Sequence, residues 1–193
     1  MKLVSRIKLQ TTKEQHQALL ATMRVFNAAC NFVSDYIFQH RIFGKYDLQN
    51  ALYCSLKSDF GLSSQLAVRA IGKVCDAYKT EIANAKRQQR IISKCRFKET
   101  SAVVYDSRIL TYSKTSVSIK TISSRETIDA RFQSADCLPR FKGEADLIFQ
   151  NNVFYLFQTT DVEEKPLIEV TEYIGVDLGI IKIATDSDNN FYD

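Results

Sequence analysis

Residues 3–10 read L-V-S-R-I-K-L-Q, and the stretch after them, T-T-K-E-Q-H-Q-A-L-L-A-T-M-R-V-F at 11–26, changes period. In the first, Leu3, Ser5, Ile7 and Leu9 alternate with Val4, Arg6 and Lys8, the two-residue repeat of a half-buried strand. In the second, Thr11 with Glu14 three positions on makes a capping box. Leu19, Leu20, Met23, Phe26, Cys30, Val33 and Ile37 then recur at steps of three and four, which predicts a helix of about six or seven turns. A strand that runs straight into a long helix leaves its sheet partners to be found further along the chain.

Two more helices come before those partners. Gly44 is expected to break the first helix, Asp47 to cap a short second one carrying Leu48, Leu52 and Leu56, and Gly61 to end it. Ser63 or Ser64 caps the third, whose stripe is Leu66, Ala70, Val74 and Tyr78 with Ala67, Ile71, Ile82 and Ala85. From about residue 101 the period returns to two, over 101–105, 109–112, 116–122, 126–132, 145–150 and 153–160, with Ser123-Ser124 and Asn151-Asn152 as turns. The order strand, helices, many strands predicts an α+β protein: a β-barrel that uses the first strand and is interrupted by a three-helix insertion at 11–90. Glu163-Glu164-Lys165-Pro166 reads as a linker, and the chain after it as an apolar strand, a glycine-bracketed turn and a second strand.

Composition narrows the class. With 193 residues, 45% hydrophobic and 25% charged, the chain is an ordinary globular one, which excludes disordered, collagen-like and mini-protein classes. Cys30, Cys54, Cys75, Cys95 and Cys137 are odd in number and form no C-x-x-C, against a disulfide framework and against a zinc element. A reduced, cytoplasmic setting is expected. No apolar run has the length of a membrane span, and the N-terminus builds no signal-peptide core, so no membrane partner is expected. The net charge of +4 hides a gradient: residues 1–133 hold 22 Lys and Arg against 10 Asp and Glu, and residues 134–193 hold 4 against 12. The basic part is the expected contact for a polyanion. The acidic tail reads as a solvating surface, a metal-binding region or a cover for the basic part.

Two groups of residues stand out chemically. Lys86, Arg87, Arg90, Lys94, Arg96 and Lys98 are six cations with no acid between 86 and 98, placed where the third helix gives way to strands. They read as phosphate contacts, with Phe97 and Tyr78 available to stack on a base, or as a solvated helix face. The second group is Gly175-Val176-Asp177-Leu178-Gly179. Ile174 and Val176 would form a buried strand, with Asp177 near its end, where open sheets place ligands and a carboxylate can hold Mg²⁺. Such a hairpin serves a ribonuclease-H-like nuclease or an actin- or sugar-kinase-like ATPase, and a structural Asp capping a turn is the third reading. The upstream basic module and the late position of the hairpin favour the nuclease. Asp186 and Asp188 read as turn residues, Asp161, Glu163 and Glu164 as solvated charge, and His16 and His40 lack ligand spacing.

In this order the chain resembles the N-terminal half of the TnpB (OrfB) proteins of insertion sequences, transposase-associated RNA-guided nucleases related to type V CRISPR effectors. The likeness runs over L-V-S-R-I-K-L-Q, then F-G-L-S-S-Q-L-A-V-R-A-I and D-A-Y-K, then V-V-Y-D-S-R-I-L and G-E-A-D-L-I-F, and Y-I-G-V-D-L-G-I-I-K-I-A-T-D-S-D at 173–188. The last looks like the first RuvC motif. The resemblance implies that Asp177 is the first catalytic, Mg²⁺-binding carboxylate. It implies a wedge barrel from residues 1–10 and 91–165, recognition helices at 11–90, and the start of a RuvC-like domain at 166–193. It implies guide RNA and DNA as partners, with sequence read by base pairing. The family's later Glu and Asp and its four-cysteine zinc element lie outside these residues. The chain is therefore expected to be a catalytically incomplete piece that lacks cleavage by itself, exposes an apolar hairpin at 173–184 and calls for a second polypeptide. A nuclease-dead nucleic-acid-binding regulator is the remaining alternative.

Overall fold

A computed structural model of the chain describes residues 2–132, 141–162, 173–179 and 183–192. The chain forms two compact units, Met1–Val162 and Glu163–Asp193. In the first unit the order is β1 (Lys2–Gln10), α1 (Lys13–His40), α2 (Lys45–Ser58), α3 (Ser64–Arg87), β2 (Val103–Tyr105), β3 (Leu110–Tyr112), β4 (Ser116–Lys120), β5 (Arg125–Arg131), β6 (Phe141–Gln150) and β7 (Val153–Asp161). The expected linker at Glu163, Glu164 and Pro166, and Cys137, lie outside the described residues.

The seven strands form one sheet in the order β2-β6-β7-β1-β5-β4-β3. Every pairing is antiparallel. β1 lies in the middle of it, between β7 (Lys8 opposite Tyr155) and β5 (Lys8 opposite Arg131). The two outermost strands, β2 and β3, are neighbours in sequence, and the turn between them closes as Ile109 and Leu110 donate their N–H groups to the Asp106 carbonyl at 3.0 and 2.9 Å. The Tyr112 hydroxyl on β3 donates to Gln158 Oε1 on β7 at 2.7 Å. The sheet is thereby nearly closed, and its two edges are the three-residue strands β2 and β3, which offer little backbone to other chains. Alternation does the rest: Ile7, Val117, Ile119, Ile128, Leu147, Phe154 and Leu156 point inward and are buried.

The helices share that core. Leu19, Met23, Phe26, Val33 and Ile37 of α1 and Leu66, Ile71, Val74 and Tyr78 of α3 join the barrel residues in one buried cluster. α1 starts one residue later than expected: its capping box is Thr12 with Gln15, where Thr12 Oγ1 accepts from Gln15 N–H at 3.3 Å and Gln15 Oε1 accepts from Thr12 N–H at 3.0 Å. A glutamine carbonyl serves that role as well as a carboxylate. Gly44 does not end α1. The helix stops at His40, with Arg41 left-handed (φ 58°), and Gly44 is the N-cap of α2, which puts Asp47 in the first turn of that helix. Ser63 caps α3 by position alone, since its hydroxyl is buried and makes no hydrogen bond.

The second unit differs from the two-strand expectation. Its described residues form three short antiparallel strands, β8 (Val176–Asp177), β9 (Ala184–Asp186) and β10 (Phe191–Tyr192), in the order β10-β9-β8. Ile174 and Val176 are not buried: they are 58% and 56% exposed. Strands of two or three residues hold too few side chains to build a core of their own. Residues 180–182 of the expected turn lie outside the described residues.

Candidate functional site

After α3 the chain turns at Gln89, which is left-handed (φ 51°), and runs back beside α1. Residues 93–102 form a strap fastened from below. Asn27, Asn31 and Ser34 lie at steps of four and three, one face of α1. Asn31 treats Phe97 as a strand partner would: its Oδ1 accepts from Phe97 N–H and its Nδ2 donates to the Phe97 carbonyl, both at 2.9 Å. Ser34 Oγ donates to Cys95 O at 2.6 Å, and Asn27 Nδ2 donates to Glu99 O at 3.1 Å and Ser101 O at 2.8 Å. Every second residue thus gives its backbone to α1, while Arg96 and Lys98 between them are exposed. Lys73 of α3 anchors the far end, donating to Asn27 Oδ1 at 3.1 Å and to the Ala102 carbonyl. Burial holds the Lys73 ammonium below the usual lysine range.

The six cations of the basic run divide into two groups. Arg90 closes a fork on Glu81, at 2.5 Å from Nη1 to Oε1 and 2.8 Å from Nη2 to Oε2, and Glu81 also accepts from Ser93 N–H at 2.6 Å. Lys94 is paired with Asp35. Lys86 and Arg87, in the last turn of α3, and Arg96 and Lys98, on the strap, are exposed and pair with no acid among the described residues. Tyr78 is not available to stack on a base: it is 1% exposed, and its hydroxyl bonds Ser34. The helical period that brought it to notice belongs to the core stripe. Phe97 is half-buried, with Lys73 Nζ 5.1 Å from its ring centroid.

The fork has a pH signature. The Arg90 guanidinium first, and then the Ser93 N–H, pull the Glu81 carboxyl down to about 2. A carboxylate with a depressed pKa keeps its partner until pH falls through the folded value. In a carboxyl-carbon NMR titration, Glu81 should stay ionised through the ordinary glutamate range and titrate near 2; a midpoint at the ordinary value of 4.5 would remove the fork from the solution structure.

Asp177 lies on β8 opposite Thr185, exposed, in a shallow groove of about 500 Å³ lined by Gly175, Val176, Thr185, Asp186 and Ser187. Asp186 is no companion ligand. Its carboxylate accepts from Asn190 N–H at 2.8 Å, Asn190 Nδ2 at 2.8 Å, Tyr192 hydroxyl at 2.9 Å and Asp188 N–H at 3.0 Å, and so organises the turn between β9 and β10. Among the described residues no three His, Cys, Asp or Glu side chains cluster. One free carboxylate does not make the near-octahedral oxygen shell of Mg²⁺, so the described residues do not by themselves fit that ion. No helix among the described residues is long and apolar enough to cross a membrane.

The barrel carries a surface the basic run does not reveal. Register sets Tyr155, Lys8 and Arg131 side by side on its outer face, beside Arg6, whose guanidinium lies 4.0 Å from the Tyr155 ring centroid. Alternation marks Arg6 and Lys8 as outward-facing, but only the pairing of β1 with β5 brings Arg131 to them. No protein-family model and no curated protein matches the chain.

Proposed function

We propose that the chain is a TnpB/OrfB-like nucleic-acid-binding protein: the wedge and recognition parts of an RNA-guided nuclease, followed by the opening segment of its RuvC-like domain. Guide RNA and DNA are its partners. The observation that carries the reading is the set of exposed cations without acidic partners among the described residues: Lys86 and Arg87 in the last turn of α3, and Arg96 and Lys98 on a strap whose backbone α1 fastens. Cations kept out of ion pairs on an ordered backbone are suited to phosphates, because little entropy is lost on contact. The first strand at the middle of a nearly closed sheet, with three helices between it and the next strand, supports the architecture that goes with this reading.

Asp177 is proposed as the first nuclease carboxylate, exposed at the end of a short strand. Cleavage requires oxygen ligands beyond Asp177, and no group of three metal-binding side chains lies among the described residues, so binding without cutting is the activity proposed. A gel-shift assay with structured RNA and with DNA at low salt, followed by incubation in Mg²⁺, tests both halves. Retarded bands with intact nucleic acid are expected. Absence of any shift would overturn the binding half, and cleavage abolished by Asp177→Ala would overturn the incompleteness.

A further inference from the structure

The outer face of the barrel carries a row of cations, two of which face each other across a strand pair. Lys8 on β1 stands directly opposite Arg131 on β5, and both are exposed. Like charges facing each other across a strand pair are destabilising. Neither is relieved: no acid among the described residues forms an ion pair with Lys8 or Arg131, although Asp129, opposite Gln10, is two residues from Arg131 on the same strand. On the other side of Lys8 stands Tyr155, half-exposed. One step along the same face, Arg6 stands opposite the half-exposed Phe157, with Asp146 beyond it. The face therefore joins three cations to two aromatic rings on a rigid, nearly closed sheet.

We infer that this face, Arg6, Lys8 and Arg131 with Tyr155 and Phe157, is a second nucleic-acid surface that takes a single strand, its phosphates on the cations and its unpaired bases on the aromatic and guanidinium planes. The reasoning is chemical. A polyanion relieves the Lys8–Arg131 repulsion, and an aromatic ring on an open sheet face offers a π-surface to any base. The Arg6 guanidinium over Tyr155 adds a flat cation on which a base also stacks. A duplex hides its base faces and lacks this half of the interaction. The face is distinct from the strap, so the two are separable by substitution.

The test uses the full chain and fluorescence anisotropy with labelled RNA and DNA of one mixed sequence, each single-stranded and as duplex. Arg131→Glu turns the like-charged pair into an opposite one. It is expected to raise Tm by about 1–3 °C while weakening single-strand binding on the order of tenfold. Tyr155→Leu keeps an apolar side chain and is expected to weaken single-strand binding on the order of tenfold, with duplex binding unchanged. Equal loss on RNA and DNA assigns the surface to phosphate and base alone, and loss on RNA only adds the 2′-hydroxyl; both support it. If Arg131→Glu raises Tm but leaves affinity intact, or if Tyr155→Leu weakens duplex and single strand alike, the surface is overturned. Loss confined to strap variants would overturn it and leave the function proposed above standing; loss confined to Arg131→Glu and Tyr155→Leu would do the reverse.

Discussion

Replacing Arg69 with Ala is expected to destabilise the first unit by about 3–5 kcal/mol, the cost of leaving one partner of a buried ion pair unpaired. Arg69 of α3 donates to Asp106 Oδ2 from Nε at 3.1 Å and from Nη2 at 2.6 Å, and to Glu144 from Nη1. The Asp106 side chain is only 9% exposed. Its other partners are Gln65 and, at 3.0 Å, the Arg108 N–H. The same residue's carbonyl closes the β2–β3 turn, so Arg69 ties a helix to the place where the barrel closes. In a chain of this size the loss corresponds to a Tm lower by about 6–20 °C. Burial pushes the Asp106 carboxyl up, but Arg69, the Arg108 N–H and Gln65 together hold it below 3.8. Its stabilisation is therefore present above 3.8 and is lost as pH falls through the lower folded value. Without Arg69 the carboxyl should rise, so the deficit of the variant should shrink on acidification. Denaturation followed by circular dichroism at neutral and acid pH measures both. A loss under about 1 kcal/mol, typical of an exposed pair, would show that the network is not buried in solution.

Asn27→Leu should be the next most damaging change, at about 2–4 kcal/mol, because it strands several buried polar groups at once. Asn27 is fully buried and bonds the carbonyls of Met23, Glu99 and Ser101 as well as Lys73 Nζ. Leucine matches its size and supplies none of those bonds. The strap should loosen before the core does, since Asn31 and Ser34 fasten only its middle and near end. Trypsin offers a local readout. Arg96 and Lys98 have exposed side chains on a fastened backbone, and cleavage after them requires local opening. Under native conditions, cutting there should accelerate on the order of tenfold in Asn27→Leu, ahead of cutting within α1 or α3. Uniform acceleration at all sites would mean that Asn27 supports the core and not the strap.

Much of this architecture was legible from periodicity. The change from a two-residue to a three-and-four-residue repeat after Leu9 places the first strand and α1, and the return near residue 101 finds the later strands within a few residues. Helix ends were less legible. Thr11 and Thr12 are adjacent and either can cap, while Arg41 takes the left-handed conformation usually given to glycine. The basic run was visible as composition, but its division was not: Glu81 and Asp35, which remove Arg90 and Lys94 from it, lie 9 and 59 residues away in sequence. Pairing of that kind depends on the turn after α3 and on the packing of the strap against α1. The Lys8–Arg131 juxtaposition is hidden for the same reason, since register is a property of two strands. Asp186 was legible as a turn residue, because Asp followed by polar residues and Asn is a local signal.

The most direct test of the nucleic-acid reading is the salt dependence of binding. For a labelled single strand, log K plotted against log salt should lose about 0.7 of slope for each phosphate contact removed, so replacing Lys86, Arg87, Arg96 and Lys98 with Gln should reduce the slope by about 2.8. Replacing Arg90 and Lys94 instead should leave it unchanged, because Glu81 and Asp35 already neutralise them. If the four-residue variant keeps the wild-type slope, those cations are solvated surface charge and the proposed interface does not exist.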